Sequence, residues 1–158
     1  MIAANVMSAE IVSLGIDATV KDAIDLFQNS TLHDFPVVDK EGRPVGIVTA
    51  RSILHFSVPN YVSSDLLAVM KSGPDIESLY LNLKAAWNHP IRDVIDQSFD
   101  TVKARMPTSA VAGMLINLKG DTHNILVVDE AGKLIGIISA RDIISRDFEI
   151  SKKSSPIS

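Results

Sequence analysis

The chain has 158 residues, 46% hydrophobic and 22% charged, enough apolar side chain for one ordinary domain or two small units sharing a core. A net charge of -4, with lysines and arginines scattered and not striped, offers no basic footprint for a phosphate backbone and argues against nucleic acid as a direct ligand. Cysteine is absent, which excludes disulfides, thiolate metal sites and a cysteine nucleophile.

In chain order, the opening MIAANVMSAEIVS lacks a basic region followed by an apolar core and a cleavage site. No apolar run approaches the roughly 20 residues of a membrane helix, so a cytoplasmic location with no membrane partner is expected. A short strand fits Ile11 to Leu14. Val20, Ala23, Ile24 and Phe27 then recur at helical spacing after Thr19, a capping residue. Val37-Val38-Asp39, the turn residues Lys40-Glu41-Gly42 and the returning arm Val45-Gly46-Ile47-Val48 predict a β-hairpin, with Gly42 free to take positive φ. Thr49 is placed to cap a helix that begins at Ala50.

The same order then repeats. Residues 35 to 54 (FPVVDKEGRPVGIVTARSIL) align without a gap on 125 to 144 (ILVVDEAGKLIGIISARDII), 90 positions later, with nine identities, where chance gives roughly one or two. The register extends upstream through Phe27 with Asn117, His33 with His123 and Thr19 with Ser109. The chain is therefore a duplication. The second copy predicts a strand from Thr101 to Ala104, a helix carrying Val111, Met114, Leu115 and Leu118 after Ser109, a hairpin turning at Gly132, and a helix from Ala140 capped by Ser139. Between the copies, Leu66, Leu67, Val69 and Met70 suggest one short helix, and Ile76, Leu79, Tyr80, Leu83, Ala86 and Trp87 another that ends before Pro90. The expected organisation is a first repeat over 1–57, a helical insert over 58–90, a second repeat over 91–149 and a disordered polar tail over 150–158.

An apolar strand ending V-V-D, a glycine turn, G-I-V-T or G-I-I-S, and a helix opening A-R-(S/D)-I, all written twice in register, resemble a pair of CBS domains, the arrangement called a Bateman module. The resemblance covers roughly residues 2 to 57 and 91 to 148. It implies an α+β fold in which two strand-helix-strand-strand-helix repeats pack with pseudo-twofold symmetry. It also implies a regulatory module, homodimeric, that binds AMP, ADP, ATP or S-adenosylmethionine in a cleft between repeats and signals to a separate effector protein. Any magnesium would arrive with the nucleotide.

In the family's pattern an Asp three residues after the Thr or Ser holds the ribose, since a fixed carboxylate accepts from both adjacent hydroxyls. The second copy has Ser139-Ala140-Arg141-Asp142 complete, while the first reads Thr49-Ala50-Arg51-Ser52, with a hydroxyl in place of the carboxylate. One competent site around Asp142 and one weaker site around Thr49, Arg51, Ser52 and His33 are thus expected. Ser139 at a helix start, Arg141 and His123 are the phosphate candidates, and Ala104, Met106 and Pro107 the adenine slot. Asp34, the neighbour of His33, would repel a phosphate, and Asn124 gives the second site less positive charge than an arginine there would. The residues alone leave open whether Asp142 serves a ribose or only the first turn of its helix. The histidines have no ligand-like spacing for a metal, and no triad, paired-carboxylate motif or nucleophile elbow supports catalysis. The competing reading is a ligand-free dimerisation or scaffold module.

Overall fold

A computed structural model describes residues 1–57, 76–118 and 120–145. Its elements in order are α1 (Ala3–Val6), β1 (Leu14–Gly15), α2 (Val20–Gln28), β2 (Asp34–Val38), β3 (Pro44–Thr49), α3 (Ala50–Ser57), α4 (Ile76–Ala86), a 3-10 turn (Ile91–Asp93), β4 (Thr101–Lys103), α5 (Thr108–Ile116), β5 (Asn124–Val128) and β6 (Leu134–Ser139). Helical backbone, α6, follows over 140–145. The strands form two three-stranded sheets, β1-β2-β3 and β4-β5-β6. In each, the first strand runs parallel to the second and the hairpin is antiparallel, with Asp34 opposite Thr49 in one copy and Asn124 opposite Ser139 in the other.

The V-V-D-x-x-G stretch is a turn device. Gly42 and Gly132 take φ of 81° and 85°, a region closed to most L-residues. The Asp39 carboxylate accepts from the backbone N–H of Glu41 and Arg43 at 3.0 and 2.9 Å, and Asp129 does the same for Ala131 and Lys133.

Each sheet buries one face under its helices. Val20, Ala23, Phe35, Val37, Val48 and Ile53 form the first core, and Val102, Val111, Ile125, Val127 and Ile138 the second. The segments that lead into the two copies are exchanged. Ala3 and Val6 fill the second core, whereas Ile91 and Val94 fill the first. Ser8 bridges Ile137 and Asp96 bridges Ile47, each with backbone hydrogen bonds in both directions at 2.8 to 3.0 Å. Burying a Val or Ile side chain is worth about 1.5–3 kcal/mol, so each copy depends on the other's leader. The exchange also explains the glycine of G-I-(V/I)-(T/S). A Cβ on Gly46 would lie 2.9 Å from Ile95 Cβ and 3.1 Å from the Asp96 carbonyl, and one on Gly136 would meet Met7.

The opposite faces of the sheets meet between the copies. Pro36, Ile47 and Leu126 are buried outside both cores, as strand alternation requires. The hairpin turns touch, with the Leu134 N–H donating to the Gly42 carbonyl and Arg43 Nε to the Ala131 carbonyl, both at 3.0 Å.

Several elements depart from the sequence expectation. The first strand is Leu14–Gly15, not Ile11 to Leu14, because its partner β2 pairs only through Val37 and Val38. The strand expected to reach Ala104 stops at Lys103, where Ala104 turns its carbonyl to the Ala4 N–H. Thr19 caps α2 as expected, but α5 starts at Thr108 behind Pro107, so Ser109 is not its cap. Proline already holds a helix-compatible φ there and has no N–H to satisfy. Leu118 lies beyond α5 yet packs on the second core. In the insert, α4 docks on the first core through Leu83 and Ala86. The expected helix around Leu66 to Met70 and the tail lie outside the described residues. Among those described, no helix is long and apolar enough to cross a membrane.

Candidate functional site

At the end of β6 the hairpin register sets Ser139 opposite Asn124, immediately after His123. The chain then enters α6, and Ser139 and Asp142 close a reciprocal cap. The Ser139 backbone N–H and hydroxyl donate to Asp142 Oδ2 at 2.7 and 2.9 Å, and the Asp142 N–H returns to Ser139 Oγ at 3.3 Å. The Asp142 side chain thus serves its helix through one oxygen, while Oδ1 takes no hydrogen bond from the described residues. Both residues are half-buried and line a cleft of about 470 Å³, within the range of small-molecule sites. Exposed Arg141 and His123 line it too. Apolar walls come from Ile11, Val12, Pro36 and Ile137, and the first copy adds His33 and Asp34.

The corresponding corner of the first copy keeps the cap and loses the carboxylate. Ser52 N–H donates to Thr49 Oγ1 at 2.9 Å, Thr49 N–H to Ser52 Oγ at 3.0 Å, and the Ser52 hydroxyl to the Thr49 carbonyl at 2.8 Å. Arg51 pairs with Asp121 at 3.4 Å, and these two side chains line both of two separate clefts, of about 670 and 590 Å³. Ser52 faces the larger with Asp93 and Asp96; Thr49 faces the smaller with His33 and His123. Thr49 and Ser52, though bonded to each other, thus open on different clefts, whereas Ser139 and Asp142 line the same one. Loop residue Gly120, at φ 69°, tucks against this corner, where a Cβ would sit 2.7 Å from the Ser98 carbonyl.

Asp34 has a role that its neighbourhood in sequence did not suggest. Its carboxylate is buried and accepts from Thr122 Oγ1 at 3.0 Å, the His123 N–H at 3.3 Å and Asn124 Nδ2 at 2.6 Å. Asp34 and Asn124 are equivalent positions of the duplication, and they meet each other between the copies.

Ala104, Met106 and Pro107 do not join the cleft. Their backbone receives the amino-terminal segment instead: Ala3 N–H donates to the Met106 carbonyl at 2.8 Å, Ala4 N–H to the Ala104 carbonyl at 3.0 Å, and Ile2 bridges Pro107. The Met106 and Ala104 side chains pack on the second core. The apolar wall near Asp142 comes from Ile11 and Val12, which the sequence had suggested as strand. The exchange of leading segments carries them across, a long-range event with no local signal.

A family model for the CBS domain matches residues 3–58 and 91–149. The chain belongs to the CBS-domain family. As a CBS pair it is similar to an uncharacterized protein of Methanocaldococcus jannaschii, 28% identical over an alignment of 137 positions that covers 81% of this chain and 80% of that one. Among solved structures, the CBS-pair protein CBSX2 of Arabidopsis thaliana superposes with a TM-score of 0.75 at 19% identity, covering 96% of both chains. CBSX2 in complex with AMP gives a TM-score of 0.67 at 20% identity, over 95% of this chain and 98% of that one. These likenesses agree with the duplicated α+β architecture described above.

Proposed function

We propose that this CBS pair is a non-catalytic regulatory module that binds an adenosine-containing ligand in the Asp142 cleft and passes occupancy to a separate protein. The observation that carries the reading is the division of labour in the Asp142 carboxylate: Oδ2 serves the helix cap, Oδ1 takes no hydrogen bond from the described residues, and the residue lines a half-apolar cleft. Ribose hydroxyls donate to that oxygen, and Ile11, Val12, Pro36 and Ile137 give the adenine an apolar slot. Ser139, Arg141 and His123 stand near the phosphate end. The AMP complex of CBSX2 supports an adenine nucleotide as the ligand class. The first copy is the weaker site, since Ser52 supplies no carboxylate and opens on a different cleft from Thr49, beside Asp93 and Asp96. Leu54 and Ile144, equivalent in the duplication and both exposed, provide matched apolar positions for a homodimer.

The first copy supplies its own control for the test. Asp142→Ser reproduces the Thr49/Ser52 cap without the carboxylate, so stability is retained while ribose recognition is lost. Thermal-shift titrations with adenosine, AMP, ADP, ATP and S-adenosylmethionine should give a stabilising ligand whose affinity falls about tenfold or more in Asp142→Ser, a loss of about 1.4 kcal/mol or more. Unchanged affinity in the folded variant would remove Asp142 from the site. No stabilisation of the native chain by any of the five, in a preparation carrying no bound ligand, would favour the scaffold reading.

A further inference from the structure

The cleft assigned above has an unfavourable charge balance for polyphosphates. Asp142, Asp34 and Glu10 all line it, against a single arginine, Arg141. The Asp34 side chain is held in place by its three donors between the copies. Glu10 comes from the exchanged leading segment, is exposed, and forms no hydrogen bond or ion pair among the described residues. The one arginine of the corresponding first-copy corner, Arg51, is committed to Asp121. Three carboxylates against one guanidinium give the cleft an excess of formal negative charge.

Resting on the ligand class proposed above, we infer that Glu10 is a specificity-determining residue that selects nucleosides and nucleoside monophosphates over di- and triphosphates. A phosphate monoester carries roughly −1.5 to −2 charge near pH 7, and each further phosphate adds negative charge to a space that already holds an excess of carboxylates. Repulsion between like charges in a partly shielded cleft grows with that number. Glu10 acts from outside either repeat's sheet, so the sequence of the leading segment sets the preference independently of the Ser139/Asp142 corner.

The test is a set of affinities for adenosine, AMP, ADP and ATP, measured calorimetrically at pH 8 and low salt, with EDTA and again with magnesium. Native protein, Glu10→Gln and Glu10→Lys are compared. Native protein should bind ATP about tenfold or more weakly than adenosine or AMP in EDTA, with magnesium narrowing the gap. Glu10→Lys should strengthen ATP about tenfold and leave adenosine within about twofold, with Glu10→Gln between them. Glu10 is exposed and unpaired among the described residues, so both variants retain the fold. Native protein that binds ATP as tightly as AMP in EDTA, or a Glu10→Lys variant that shifts adenosine and ATP alike, overturns the selection while leaving the adenosine reading intact. Silence from all four ligands, with the protein folded and nothing already bound, overturns the adenosine reading itself and the selection with it.

Discussion

Asn124→Asp should be among the most damaging isosteric substitutions in this chain. In the native pair Asn124 Nδ2 donates to Asp34 Oδ1 at 2.6 Å, next to donors from Thr122 and His123. The aspartate variant has the same shape, so packing is unchanged, but it sets a second carboxylate against a buried one. Two unit charges about 4 Å apart at an effective dielectric of about 20 repel by about 4 kcal/mol. Escape by protonation at pH 7 costs a similar amount, since a carboxyl with an ordinary pKa near 4 must take up a proton about three units above it. Asn124→Ala loses only the charge-assisted donor, about 1.5–3 kcal/mol. Urea unfolding at pH 7, followed through the single tryptophan Trp87, should therefore rank native above Asn124→Ala above Asn124→Asp. Acidification adds a second signature. The folded dyad holds a shared proton at a pH where the unfolded chain has released it, so the aspartate deficit is full at neutral pH and shrinks as the pH falls toward 4. An Asn124→Asp protein as stable as Asn124→Ala at pH 7, or a deficit that does not change with pH, would refute the argument that the two copies differ here because like residues face each other.

The exchanged leaders make two further substitutions unequal. Gly46→Ala meets the β-branched Ile95 and the Asp96 carbonyl, whereas Gly136→Ala meets the flexible Met7 side chain; thermal unfolding should show Gly46→Ala costing about 1–3 kcal/mol and Gly136→Ala distinctly less. At the α6 cap, Asp142→Ala should destabilise by about 1 kcal/mol and Asp142→Ser by only a few tenths of that, as a urea midpoint comparison without ligand would show. Ser52→Asp should not create a second ribose site: Asp93, Asp96 and Asp121 surround that corner, so titration calorimetry should leave the stoichiometry per chain unchanged, and a doubled stoichiometry would contradict the account of the divided cleft.

The parts of the fold legible in the sequence are those that local physics decides. Hairpins at Gly42 and Gly132, the Thr19 cap and the helices after Thr49 and Ser139 follow from residues within a few positions of one another. Duplication made them more certain by stating each twice. The same duplication misled where the copies depart from symmetry. Ser109 is the counterpart of the Thr19 cap in register, but that helix starts at Thr108 with Pro107 at the N-cap. Asp34 also lines the cleft, but its bond to Asn124, 90 positions away, is invisible until the copies face each other.

Residues on a pseudo-twofold axis meet their own equivalents, so a faithful copy places like against like. Two hydrophobic residues accept that arrangement readily, as with the buried layer containing Pro36 and Leu126. Two aspartates do not, and one of the pair must become a donor. Asp142 sits off the axis, free of its equivalent Ser52, so nothing in the packing forces these two to differ. Among the described contacts Ser52 satisfies its helix as fully as Asp142 does. A carboxylate present at one corner and dispensable for the cap at the other is the asymmetry that the proposed single ligand cleft requires.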